Sequence, residues 1–146
     1  MTSLEDLQAA WKVDATIDHM HLDTASIRTA NLHQKYLDIM TEYKIRIFSL
    51  EKKFLEMKGV RSRYFSGQMT KAELEQNGWE QYPYKTPLKS ELERLLETDP
   101  ILLDLKDKTS YYTFCFEYVE DVLKALRDRN YQIRAAIDFM KFQAGN

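Results

Sequence analysis

Lys58, Arg61 and Arg63 lead into two adjacent rings, Tyr64 and Phe65, and then into Ser66-Gly67. Ammonium and guanidinium groups hold phosphate oxygens, and a ring face can carry a stacked base. The grouping therefore suits contact with a single nucleic-acid strand. On a continuous helix Lys58 and Arg61 are three apart and share a face, while Phe54 and Met57 hold the apolar side. Arg63 points nearly the opposite way and joins them only if the helix frays after Gly59. Tyr64 either stacks on a base or completes the apolar seam. A solvated helix end running into a loop explains the same residues without any ligand, and both readings stay open at this level.

Other chemistry-bearing residues are less informative. Trp79, Tyr82 and Tyr84 with Lys85 form an aromatic loop that either stacks bases or pins a Pro-containing segment onto the helices. His19 and His21 are two apart, which on a helix sends the imidazoles in different directions, so no metal site is expected. Cys115 sits in the apolar run T-F-C-F and reads as core. No phosphate-cradling glycine loop, nucleophile elbow or H-E-x-x-H pattern occurs. The expectation is a non-enzymatic protein without cofactor or metal.

The elements that must position these residues are helical. The chain has 146 residues, with 4 Gly and 3 Pro, a composition that favours helix in a single domain over 1–146. One cysteine rules out an intrachain disulfide. The N-terminus lacks a signal-peptide pattern and no apolar run is long enough to span a membrane, so a cytoplasmic setting is expected. Net charge is −2, yet residues 41–69 carry 7 basic and 3 acidic side chains, the one positive block. A local field steers a polyanion more than net charge does, so the acidic total does not exclude DNA or RNA.

Ser3 with Asp6 predicts a capped short helix to about Trp11, and Asp14, Asp18 and Asp23 are candidate N-caps beyond it. From Thr24 to Tyr64 the residues Tyr36, Met40, Tyr43, Ile47, Leu50, Phe54 and Met57 recur at steps of four and three, the pattern of a coiled-coil seam. Leu37, Phe48 and Leu55 widen the stripe beyond one partner. Some 40 helical residues would extend ~60 Å, which predicts an elongated antiparallel hairpin or an oligomer. Ser66-Gly67 stops this helix. Thr70 with Glu73 caps a short one ending near Asn77-Gly78, and Thr86-Pro87 and Asp99-Pro100 each start another. On the last of these Ile101, Leu105, Tyr112, Cys115, Val119, Val122 and Leu126 keep heptad spacing, with a break expected at Arg129-Asn130. A terminal helix from Tyr131 then presents Ile133, Ile137 and Met140 on one side, with Phe142 nearby. The fold class is all-α: two long helices, short ones and a C-terminal helix.

Three segments give a resemblance to a known family. They are L-E-D-L-Q at Leu4–Gln8, the Tyr64-Phe65-Ser66-Gly67 signature after a basic helix end, and a terminal stretch with Leu123, Ala125, Arg129, Ile133, Asp138, Phe142, Ala144 and Gly145 in register. On these residues the chain resembles the UvsY-type recombination mediators of T-even-like bacteriophages. Residues 68–110 match more loosely, and Asn130 stands where the family can have Gly.

The resemblance implies a protein that binds single-stranded DNA and contacts both a single-strand-binding protein and a RecA-like recombinase. It implies a ring-like homo-oligomer supported by the C-terminal region, here 131–146 with Ile133, Ile137, Met140 and Phe142. A phage-encoded chain would work in the host cytoplasm. In the family a Lys and an Arg, two residues apart before the aromatic pair, serve DNA binding. Arg61 occupies the Arg position, Gly59 the Lys position with Lys58 one residue earlier, and Arg63 is a further cation. A helical scaffold that binds only protein is the alternative.

Overall fold

The computed structural model describes residues 1–145. They form five helices: α1 (Leu4–Asp14), α2 (Leu22–Phe65), α3 (Lys71–Asn77), α4 (Lys89–Glu97) and α5 (Pro100–Gln143). Strands are absent among the described residues, and none of the helices is long and apolar enough to cross a membrane. The chain divides into two compact units, one of Met1–Arg46 with Tyr112 onward, the other of Ile47–Tyr111.

The first unit is built on the seam residues. Tyr36 and Tyr43 of α2 pack with Cys115, Val119, Val122, Leu123 and Leu126 of α5 and Leu7 of α1, all buried. Fully burying a side chain of this size contributes roughly 1.5–3 kcal/mol. Leu22 and Ala25 meet Ile133, whereas Tyr43 meets Tyr112, so α2 and α5 run antiparallel here. Helix α1 begins with Ser3 Oγ accepting from the Asp6 N–H at 3.1 Å, as its spacing predicts, and runs three residues past Trp11. The Tyr43 hydroxyl donates to the Thr2 carbonyl at 2.7 Å and holds the start of α1.

Asp14 caps no following helix. It ends α1, buried, and its carboxylate accepts from Arg28 (2.9 Å), Lys35 (2.6 Å) and the Tyr36 hydroxyl (2.8 Å). Burial alone would raise its pKa, but the hydrogen bonds from Lys35 and Tyr36, with the charges of Lys35 and Arg28, hold it below the usual carboxylate value. Burial, with the bond to Asp14, pushes the Tyr36 phenol up. Arg129 donates to the Asp14 carbonyl at 2.7 Å, and burial and the nearby Arg28 lower its pKa.

Helix α5 does not break at Arg129-Asn130. Asn costs a helix only a fraction of a kcal/mol, and Arg129 and Ile133 on either side of the expected break are both buried. Packing on both sides of Asn130 outweighs its turn preference. Helix α4 starts at Lys89 rather than at Pro87. Leu88 holds the N-cap position, and the Glu91 carboxylate accepts from its N–H at 3.2 Å.

In the second unit Leu50, Phe65, Leu102 and Leu105 are buried. Ile47, Phe54 and Met57, at heptad spacing with Leu50 on α2, are half-buried. Phe48 and Leu55, which the sequence pattern assigns to a wider stripe, are instead exposed.

Candidate nucleic-acid interface

The basic helix end of α2 closes on Gly67. With φ +70° it lies in the left-handed region that glycine adopts without Cβ strain, and Gln68 N–H donates back to the Arg63 carbonyl at 2.9 Å. Helix α3 then begins with Thr70 Oγ1 accepting from the Glu73 N–H at 3.2 Å. It ends the same way as α2: Gly78 has φ +70° and the Trp79 N–H donates to the Leu74 carbonyl at 2.9 Å. The two glycine endings fold the loop so that Trp79 returns to Tyr64, with ring centroids 5.4 Å apart.

Arg61 lies at the centre of this arrangement and is only 8% exposed. Its Nε and Nη2 donate to the two carboxylate oxygens of Asp99, each at 2.9 Å. The guanidinium also lies 4.5 Å from the Tyr64 ring centre, 4.9 Å from Phe65 and 4.6 Å from Trp79. A planar cation fixed in a fork and faced by rings is held far more tightly than a surface lysine. The expectation of Arg61 as the leading phosphate contact is therefore revised. Its fork is already occupied by a carboxylate, and its place is inside the support of the helix end.

Tyr64 is likewise engaged. Phe65, Trp79 and Tyr82 meet it edge-on, Arg61 faces it, and its hydroxyl donates to the Glu80 carbonyl at 2.8 Å. That is packing rather than an open stacking face. Tyr82 closes on Phe65 at 5.1 Å, so the aromatic loop does pin itself onto α2.

Lys58 and Arg63 are exposed. The helix does not fray after Gly59, so Arg63 stays off the Lys58 face, where it pairs with Glu73 of α3. Lys58 lines a groove of about 260 Å³ with Phe54, Glu93, Leu102 and Lys106. Lys106 lies 5.5 Å from the Phe54 ring centre and belongs to α5, so nothing local in sequence announces it as a neighbour of Lys58. Asp99 was readable only as a helix start; its pairing with Arg61 requires the tertiary fold. Gly59 faces open space: a Cβ there would meet nothing within 4 Å, so a side chain can begin at this position without a clash.

The residues expected to mediate assembly are divided. Ile133 is 2% exposed and packs on Leu22 and Ala25, with Ile137 against the same cluster. That burial removes Ile133 from any intermolecular surface, whereas Met140 and Phe142 are exposed.

Comparison with known proteins agrees with this architecture. The sequence model of the family described as "Recombination, repair and ssDNA binding protein UvsY" matches residues 10–146. The recombination protein uvsY of Enterobacteria phage T4 is 25% identical over 142 residues, covering 97% of this chain and 98% of that protein. Two crystal structures of the bacteriophage T4 recombination mediator protein UvsY share the fold. One has a TM-score of 0.82 at 24% identity over 99% of both chains. The other has a TM-score of 0.80 at 22% identity over 97% of this chain and 99% of that one. The chain belongs to the UvsY family of recombination, repair and single-stranded-DNA-binding proteins.

Proposed function

We infer that the chain is a recombination mediator that holds single-stranded DNA and helps a RecA-like recombinase replace a single-strand-binding protein on it. The observation that carries the reading is the positive block at 41–69, which leaves Lys58 and Arg63 exposed on α2 in a chain of this family. Lys58 contacts phosphate, with Lys106 beside it in the same groove; Arg63, on another face of α2 and paired with Glu73, is a further cation that reaches phosphate only by releasing that carboxylate. Arg61 is a positioning residue that fixes the helix end through Asp99 and the rings.

Each phosphate neutralised releases counterions, so affinity depends on salt and only weakly on sequence. A few cations per chain bind weakly. Repeating them in a ring-like homo-oligomer raises the effective concentration and holds the strand along a path that a binding protein fits less well. Met140 and Phe142, with the outer edge of Ile137, supply the assembly contacts. No nucleotide cofactor takes part, and the setting is cytoplasmic, that of the host if the chain is phage-encoded.

Affinity for a labelled single-stranded oligonucleotide, titrated against salt, tests the reading. Log K should fall with log salt by about 0.7 per phosphate contacted, and Lys58→Ala should shallow the slope by about that much per copy engaged. Wild-type protein with no salt-sensitive affinity at low ionic strength would sink it. The exposed Phe48 and Leu55 favour a second reading, a scaffold that binds only protein, which predicts that negative result.

A further inference from the structure

The ring cluster around Arg61 has an open edge. Tyr82 is packed against Tyr64 and Phe65, but Tyr84, 5.4 Å from Tyr82, is 74% exposed. Beside it runs a groove of about 600 Å³ with Tyr82, Pro87 and Leu95 as apolar wall and Lys85 and Arg94 as cations. Among the described residues neither Lys85 nor Arg94 is ion-paired, in contrast to Arg61 and Arg63. Glu91 and Glu97 also line the groove. Their carboxylates repel a phosphate from its interior while leaving an uncharged ring free to enter.

We propose that this groove is a nucleobase subsite for single-stranded DNA: one base stacks on Tyr84 against Pro87 and Leu95, and Lys85 and Arg94 hold the flanking phosphates. The inference rests on the single-stranded-DNA reading above and adds to it a contact with the bases. Tyr84 takes this part, and Tyr64 does not, because Tyr64 is enclosed by Arg61 and three rings whereas Tyr84 is open to solvent. Stacking tolerates any base, since every base has a π-face, so the subsite adds affinity without sequence preference.

The test uses the full chain and two strands of equal length, one with bases and one an abasic deoxyribose-phosphate backbone. Tyr84→Ala should weaken binding of the base-bearing strand by about 5-fold or more at an unchanged salt slope. It should leave the abasic strand as wild type binds it. Tyr84→Phe should keep wild-type affinity for both strands. Lys85→Ala should shallow the slope. Equal binding by Tyr84→Ala and wild type overturns the subsite, and so does an equal loss on both strands. A wild-type protein that binds neither strand overturns the subsite and the mediator reading together. Binding by wild type that ignores Tyr84 overturns the subsite alone.

Discussion

Arg61 and Asp99 are 38 residues apart in sequence, yet the guanidinium of one donates to both carboxylate oxygens of the other at 2.9 Å, nearly out of solvent. Removing one partner of such a pair strands the other's charge away from water, at a cost of roughly 3–5 kcal/mol. Arg61→Ala should lower the unfolding free energy, read from a denaturant titration, by an amount in that range. The Arg61→Ala/Asp99→Ala double variant should lose much less than the two single losses added together. Lys58→Ala, at an exposed position, should leave the unfolding free energy within about 0.5 kcal/mol of wild type. If Arg61→Ala instead keeps its stability and shallows the salt dependence of DNA binding, Arg61 touches phosphate directly.

Gly59 offers a change in the opposite direction. It sits inside α2 with open space where a Cβ would be and without a positive φ. Gly59→Ala should stabilise the chain by roughly 0.5–1 kcal/mol, because the unfolded chain then has less freedom to lose. Gly59→Lys should give a similar gain and also steepen the salt dependence of DNA affinity by about 0.7 per added phosphate contact. A higher melting temperature without a steeper salt slope would separate the two effects and place residue 59 off the strand's path.

The Asp14 carboxylate gives a pH dependence of defined sign. Its folded pKa lies below its unfolded value, because the bonds from Lys35 and Tyr36 and the charges of Lys35 and Arg28 outweigh burial. The stability it contributes is therefore present above the unfolded carboxylate pKa of about 4 and lost as pH falls through the folded value. Urea midpoints measured between neutrality and acid should fall below about pH 4 in wild type. Asp14→Asn should be less stable at neutrality and should show a smaller acid loss. Parallel pH curves for the two proteins would contradict the network.

Ile133 and the pair Met140 and Phe142 should respond differently to substitution. Ile133→Ala opens a cavity against Leu22 and Ala25 and should cost roughly 2–5 kcal/mol of stability. Met140→Glu with Phe142→Glu changes exposed positions, so folding should be kept while the mass found by sedimentation falls. An unchanged mass in that double variant would remove the C-terminal segment from the assembly contacts.

The seam of α2 was legible because burial and helical period impose a spacing: Tyr36, Tyr43 and Leu50 are all buried. The glycine ends at Gly67 and Gly78 and the caps at Ser3 and Thr70 were legible because those side chains act within a few residues of themselves. Asn130 misled because its turn preference is worth less than the burial of Arg129 and Ile133 beside it. The partner of Arg61 was not legible. Asp99-Pro100 looks like any helix start, and only the return of the chain after α3 and α4 brings that carboxylate to α2. The same return puts Lys106 beside Lys58 and leaves Tyr84 at the rim of the rings. The chemistry of the basic stretch was thus visible in residue types, while its division into buried support and exposed contacts depended on tertiary packing.

Cys115 is the chain's one cysteine and is fully buried in the first unit. A thiol reacts as its thiolate and only where a reagent can reach it, so the folded chain is shielded from maleimides and disulfide reagents. Two uses follow for the wild-type core as it stands. The rate at which Cys115 is modified reports how often the first unit opens. A cysteine introduced at exposed Ser90, near the groove but not lining it, becomes the one fast-reacting position, ready for a fluorophore that follows the strand as it arrives and leaves.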